Sequence, residues 1–184
     1  MTKRILLGTL AGGVVVFIVG ALLHTVLGLG KVGVKALPQE ATVLSALRTA
    51  IPEPGFYIFP APNMTPDMNK YQQGPSGILV YTAAGSALNY GKLLGGEFII
   101  DLIAAFWIAC ILAMGAGGVS SYWKRVFAVT FAGLFAGLFL GLEYWNWYNF
   151  PTKYTVAFVL IVLLDWFFAG LAMAAIVKNR PAVN

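Results

Sequence analysis

Five ionisable side chains in or beside apolar sequence are the candidates for chemistry in this chain of 184 residues: His24, Glu97, Asp101, Glu143 and Asp165. Glu97 and Asp101 are four residues apart, so a helix would place them on one face. A histidine with several carboxylates can bind a small ligand or a metal, or transfer protons. These five residues are therefore candidates for a pocket that binds a lipid, quinone, pigment or metal, if the fold brings them together.

Asp165 is the most informative of the five. It lies near the middle of residues 154–177, in which no other residue is charged. An ionisable side chain in hydrocarbon costs about 2.5–3.5 kcal/mol on insertion scales, so such a residue is expected to be functional or to hydrogen-bond to a neighbouring helix. We prefer the second interpretation and leave the first open. No Lys or Arg lies within the apolar segments to pair with this acid.

The sequence contains few of the residues that metal and redox chemistry requires. Cys110 is the single cysteine, which excludes a disulfide framework, a Cys-x-x-Cys pair and a thiolate zinc cluster. His24 is the single histidine, and no Glu-x-x-His pair of a di-metal bundle is present. We predict no metal, no cofactor and no catalytic residue. His24 could still supply one axial ligand to a haem or chlorophyll, or one ligand to a metal.

The elements that position these residues are predicted to be membrane-spanning helices. The chain is 59% hydrophobic and 10% charged, so lipid must be its solvent. About 20 apolar residues suffice to cross a bilayer, and four segments qualify. The prediction is an all-α membrane protein, a four-helix bundle with spans at residues 1–29, 97–119, 126–147 and 154–177. The first apolar run is too long for the core of a signal peptide, so we expect a membrane anchor.

The positions of the cations predict the orientation. Three pairs flank the spans on one side of the membrane: Lys3 and Arg4, Lys124 and Arg125, Lys178 and Arg180. The positive-inside rule makes that side, and both termini, cytoplasmic. The formal charge of +5 does not indicate nucleic-acid binding, because the cations are scattered as ones and twos.

Residues 30–96 are predicted to form a small extracytoplasmic cap between the first two spans. Apolar residues recur at helical spacing over about 38–51, which predicts an amphipathic helix. Residues 56–59 and 78–81 are β-prone and separated by Pro and Gly, which predicts a β-hairpin with a helical turn near 66–71. The cap is too small for its own core, so we expect it to pack on the spans or on a partner.

Small residues and aromatic residues predict how the spans pack and where they stop. Tandem Gly-x-x-x-Gly spacing, which lets helices approach closely, is found in the third span, and shorter versions occur in the first and fourth: Gly133, Gly137, Gly141, Gly8, Gly12 and Gly170. We prefer packing within the bundle and leave packing against another subunit open. An aromatic belt is predicted to anchor the outer interface: Tyr144, Trp145, Trp147 and Tyr148.

Three motifs resemble an uncharacterised family of small bacterial four-span membrane proteins. They are Ile51-Pro-Glu-Pro-Gly-Phe-Tyr-Ile-Phe-Pro60, Gly74-Pro-Ser-Gly-Ile-Leu-Val-Tyr81 and Tyr144-Trp-Asn-Trp-Tyr-Asn-Phe-Pro151. The resemblance implies the bacterial inner membrane. It implies no activity, cofactor or site residue.

Three functions remain open. The first is a non-catalytic accessory or scaffold subunit of a larger bacterial membrane complex of respiratory or photosynthetic type, which other membrane subunits would contact. The second is a binding protein with an outer-leaflet pocket of carboxylates and His24. The third is a membrane enzyme that uses the same residues as acid and base. A pump is disfavoured, because the ionisable groups occupy only the outer half of the spans.

Overall fold

Four long apolar helices dominate the computed structural model, which describes residues 2–61, 68–83, 88–115 and 121–178. The elements in chain order are α1 Thr2–Ala21, α2 Glu40–Ala50, β1 Gly55–Phe59, α3 Met68–Gln73, β2 Gly77–Tyr81, α4 Tyr90–Met114, α5 Tyr122–Tyr148 and α6 Thr152–Ile176. A π-helical turn, Leu22–Val26, extends α1. Helices α1, α4, α5 and α6 are long and apolar enough to cross a membrane. The predicted fold class is confirmed.

Parts of three predicted features fall outside the described residues: residues 66–67 of the predicted turn, residues 116–119 at the end of the second span, and Arg180. Polar side chains mark two helix starts that hydropathy alone does not reveal. The side chain of Asn89 accepts a hydrogen bond from the Lys92 amide at 2.9 Å, so α4 begins before residue 97. Ser121 caps α5 in the same way, through the Lys124 amide at 3.2 Å.

Helices α1 and α6 form the centre of the bundle. Helix α1 packs against α4 and α6, and α5 packs against the other side of α6. Contact between α4 and α5 is slight. The spatial order is therefore α4, α1, α6, α5, and a side chain on α1 can meet both α4 and α6.

The glycines of α5 lie against α6. A Cβ added at Gly137 would lie 2.8 Å from a methyl carbon of Val162, and one at Gly141 would lie 3.1 Å from the ring of Phe158. Gly133 faces Trp166 in the same series. The four-residue spacing on α5 thus matches the four-residue spacing of larger side chains on α6, so ridges of one helix fill grooves of the other.

Close packing between α1 and α6 also depends on small residues. A Cβ at Gly8 would lie 2.5 Å from Val177, and one at Gly12 would lie 2.6 Å from the sulfur of Met173. Gly170 of α6 lies close to the backbone carbonyl of Val126 on α5. The predicted packing glycines therefore lie at contacts within the bundle.

The hydrophobic core is displaced toward one end of the bundle. Its buried members are Val16, Ala105, Ile108, Ala109, Leu112, Val129, Ala169, Met173 and Val177. We name this end the basic end, because Arg4, Lys124, Arg125 and Lys178 lie there. The opposite end, which carries His24, Glu97 and Glu143, is named the acidic end.

Three donors at the basic end bind carbonyls in the last turns of α6 and just beyond it. The Tyr122 hydroxyl donates to Leu171 O at 3.0 Å, Arg125 Nε donates to Ala174 O at 3.1 Å, and Arg4 Nη1 donates to Lys178 O. Ala174 O is among the last four carbonyls of α6, which lack partners within a helix and carry partial negative charge. These contacts join α1 and α5 to the end of α6.

The cap contains the predicted hairpin and helix but packs loosely. Strands β1 and β2 are antiparallel, with Phe56 opposite Val80, and both of these side chains are exposed. Neither α2 nor α3 contains a buried residue. The loop before α2 contacts the spans at Gly33, which lies against the start of α6 at Tyr154.

A candidate ligand pocket among helices α1, α4 and α6

A pocket with a volume of about 370 Å³ lies among α1, α4 and α6 in the half of the bundle toward the acidic end. Its apolar walls are Val16, Phe17 and Ala21 of α1 and Leu94 of α4. Ligand pockets typically have volumes of roughly 300–1,000 Å³ and are mostly apolar with a few polar groups. The space therefore matches a small organic ligand in size and character.

Asp165 of α6 forms part of the wall of this pocket. Its side chain is only 8% exposed, and its Oδ1 is buried without a hydrogen-bond partner among the described residues. Both carboxylate oxygens lie 3.6 Å from the position that a Cβ would take at Gly20. The absence of a larger side chain at Gly20 thus leaves room for the acid between the two central helices. We expect Asp165 to hydrogen-bond to a neighbouring helix, but its Oδ1 makes no such bond with the described residues.

His24 and Thr25 lie on the π-helical turn that ends α1, and both line the pocket. In this turn the amide of Leu27 donates to Leu22 O at 3.0 Å, which is five residues back rather than four. Such turns occur often at functional sites, because the extra residue re-aims neighbouring side chains. Here the turn coincides with the two polar residues that α1 contributes to the pocket.

The hydrogen bonds of this turn define the chemistry of its side chains. His24 Nδ1 lies 3.0 Å from Gly20 O. A carbonyl oxygen can only accept, so Nδ1 carries the proton of this bond, and Nε2 of the neutral ring is left as an acceptor. The Thr25 hydroxyl donates to Ala21 O at 2.5 Å, which leaves only the lone pairs of Oγ1 for another partner.

Helix α4 contributes the two carboxylates whose spacing predicted a shared face. Glu97 and Asp101 both line the pocket. Asp101 is only 7% exposed, whereas Glu97 is exposed at the rim. Phe98, between them in sequence, packs edge to face on Phe17 with ring centroids 5.4 Å apart. This ring contact joins α1 to α4 beside the pocket.

The structure brings four of the five candidate residues together and leaves one outside. His24, Glu97, Asp101 and Asp165 line one pocket. Glu143 is exposed near the end of α5 and is not among the lining residues. The reason is the helix order, because α5 contacts α6 on the side away from α1 and α4.

The residues predicted as interface anchors follow Glu143 in the same helix. All four are exposed: Tyr144, Trp145, Trp147 and Tyr148. Trp145 Nε1 donates to the Thr152 hydroxyl at 3.1 Å, and the ring of Tyr144 stacks on Phe150 at 5.3 Å. These contacts hold the short turn between α5 and α6.

A metal centre finds no support in the part of the chain that the structure describes. No group of three or more His, Cys, Asp or Glu side chains in these residues is arranged to hold a metal ion. A single ligand from His24 Nε2 to a haem, chlorophyll or metal remains a prediction.

Sequence reasoning missed six residues of the pocket: Val16, Phe17, Gly20, Ala21, Thr25 and Leu94. Five of them are ordinary residues of an apolar helix and give no signal. Gly20 is different, because it lies four residues before His24 and so shares its helix face. A glycine on the same face as the single histidine of a span is a signal that could have located the pocket wall.

Comparison of the chain with models of known protein families, with curated proteins and with solved structures finds no match in any of the three. The resemblance to a family of small bacterial four-span proteins therefore remains a prediction.

Proposed function

We propose that this integral membrane protein binds a small amphipathic ligand in the pocket among α1, α4 and α6. The observation that carries the proposal is the Asp165 carboxylate, which is buried on the pocket wall and whose Oδ1 has no hydrogen-bond partner among the described residues. A buried polar group without a partner costs about 1–3 kcal/mol, and more when it is charged. A helix that served packing alone would gain stability from an apolar residue at this position. A ligand that donates a hydrogen bond to this carboxylate offsets part of the cost.

The rest of the pocket supports a ligand with one polar end. Phe17 and Leu94 offer apolar surface, while Asp101 and His24 offer polar atoms. The pocket lies in the acidic half of the bundle, which the positive-inside rule places toward the extracytoplasmic side. We therefore propose access from the outer leaflet of a bacterial inner membrane, with the basic end in the cytoplasm.

Retention of a small molecule during purification tests the proposal. The protein is extracted from its own membrane in mild detergent, and co-purifying small molecules are identified by mass spectrometry. Gly20→Leu places a side chain against Asp165 in the pocket. Its matched control, Gly95→Leu, puts the same side chain on an exposed face of α4, where no atom of the described residues lies within 4 Å of an added Cβ. We expect a compound that is retained by the wild type and by Gly95→Leu and lost from Gly20→Leu. Equal content in all three preparations would contradict binding in this pocket.

An accessory or scaffold subunit is the second candidate, and the loosely packed cap favours it. The cross-strand pair Phe56 and Val80 is 55% and 73% exposed, and helices α2 and α3 bury no residue. Contiguous exposed apolar surface marks sites that contact another protein or the membrane. The native mass of the detergent extract tests this role. We expect the wild type to co-migrate with other chains in a fixed ratio. The double variant Phe56→Ser, Val80→Thr should lose this co-migration. A lone small particle would contradict it.

A further inference from the structure

The polar atoms that His24 and Thr25 offer to the pocket are acceptors. Each side chain has one proton to donate in its neutral form, and each uses it on a carbonyl of its own helix, Gly20 O or Ala21 O. The imidazole nitrogen and the hydroxyl lone pairs that remain can only accept. The π-helical turn thus supplies no donor to a ligand.

The other polar groups of the pocket are three carboxylates, on Glu97, Asp101 and Asp165. An ionised carboxylate accepts hydrogen bonds and cannot donate them. None of the described residues that line the pocket is Lys or Arg. The Asp165 Oδ1 atom is buried without a donor among the described residues. With these acids ionised and His24 neutral, the described residues that line the pocket offer neither a positive charge nor an N–H or O–H donor.

We infer that the ligand is a protonated amine attached to an apolar group, an inference that rests on the proposed function. An ammonium group has three N–H donors and a positive charge. It can therefore donate hydrogen bonds to the acceptor atoms of the pocket and pair with its carboxylates. The apolar group lies against Phe17 and Leu94, and an aromatic ring beside the pocket also attracts a cation. A quinone has only acceptor oxygens and cannot hydrogen-bond to an ionised Asp165. An anionic headgroup is repelled by the three acids.

Three probes of one shape and different charge test the inference: 1-naphthylmethylammonium, the neutral 1-naphthalenemethanol, and 1-naphthoate. Binding to the full chain in nanodiscs of phosphatidylcholine is measured by equilibrium dialysis, with empty nanodiscs as the reference for partition into lipid. Hydrogen bonds to charged groups contribute enough for a tenfold effect or more. We expect the ammonium probe to bind at least about tenfold more tightly than the alcohol, and the carboxylate to bind weakest.

Variants of the acids show where the probe binds, and they separate the effect of a charge inside the pocket from that of a charge elsewhere on the surface. Asp165→Asn keeps the shape of the side chain, and it should weaken binding of the ammonium probe about tenfold or more. Glu97→Gln changes an exposed residue at the rim with little risk to folding, and it should weaken binding of the ammonium probe less than Asp165→Asn does. Glu143→Gln removes the same charge outside the pocket and should leave binding unchanged.

The outcomes separate the ligand class from the proposed function. If the alcohol or the carboxylate binds as tightly as the ammonium, and Gly20→Leu abolishes that binding, the amine inference is overturned and the pocket remains a binding site. If both Asp165→Asn and Glu97→Gln bind the ammonium as the wild type does, the inference is overturned as well. If no probe distinguishes the wild type from Gly20→Leu, the inference and the proposed function both fail.

Discussion

The contact between α5 and α6 allows a stability prediction from a single added methyl group. A Cβ at Gly133 would lie 2.5 Å from the Cβ of Trp166 and still nearer to two atoms of its indole ring. Ordinary contacts of this kind begin at 3.4 Å. Gly133→Ala therefore requires the helices to separate by about 1 Å or the indole to leave its position, and a close-packed interface resists both.

Two terms determine the expected magnitude. Alanine is favoured over glycine inside a helix by about 0.8–1.0 kcal/mol, and overpacking costs about 1–3 kcal/mol. Gly95→Ala in α4 is the matched control, because Gly95 is exposed and an added Cβ there would have no atom of the described part of the chain within 4 Å. Both variants gain similar helix propensity, so their difference isolates the packing cost. We expect Gly133→Ala to be less stable than Gly95→Ala by about 1–3 kcal/mol.

The assay is unfolding of the purified protein by sodium dodecyl sulfate in mixed micelles, followed by tryptophan fluorescence and near-ultraviolet circular dichroism. A double-mutant cycle identifies the cause, because Trp166→Ala removes the side chain that the new methyl group would meet. In that background Gly133→Ala should cost little. If Gly133→Ala is as stable as Gly95→Ala, the close approach of α5 and α6 at this position is refuted.

Three further predictions concern the basic end, the buried acid and the orientation. Arg125→Met should lower the free energy of unfolding in the same assay by about 1–3 kcal/mol, because a buried hydrogen bond to the end of α6 is lost. If Lys124→Met, at an exposed position, lowers it equally, the hydrogen bond is not the cause. Asp165→Leu should raise stability by about 1–3 kcal/mol while abolishing binding of 1-naphthylmethylammonium; a less stable variant would show that the acid has a structural partner. In a Cys110→Ser background, a membrane-impermeant thiol reagent should label Glu53→Cys in intact cells and Lys124→Cys only after lysis, and the reverse pattern would refute the orientation.

The helices of this fold could be predicted from the sequence because a bilayer imposes a simple requirement on any segment that crosses it. A span needs about 20 apolar residues with internally satisfied backbone, and the four predicted spans each fall on a helix. The helix starts were harder to place. Asn89 caps α4 within a segment that hydropathy assigns to the cap, since capping depends on one side chain and not on the average character of a window.

The order of the helices decided how much of the site could be predicted. Four candidate acids and bases face one pocket because α1 lies between α4 and α6. Glu143 has the same character and a similar depth, but α5 lies on the far side of α6. Composition and spacing contain no information on which helices are neighbours. The π-helical turn at His24 was also invisible, because it has no sequence pattern that distinguishes it from the end of an ordinary helix.

The close packing that stabilises the fold lies in one half of the bundle, and the pocket lies in the opposite half. Toward the basic end, alanines of α4 and glycines of α1 allow close approach, and Arg125 and Tyr122 bind the last turns of α6. Toward the acidic end, the same helices leave a pocket of about 370 Å³ beside Asp165. An unpartnered acid is tolerated only if the cost of about 1–3 kcal/mol is offset elsewhere in the fold. The packed half supplies that offset, so destabilising variants there should also weaken ligand binding, whereas filling the pocket should leave the packed half intact.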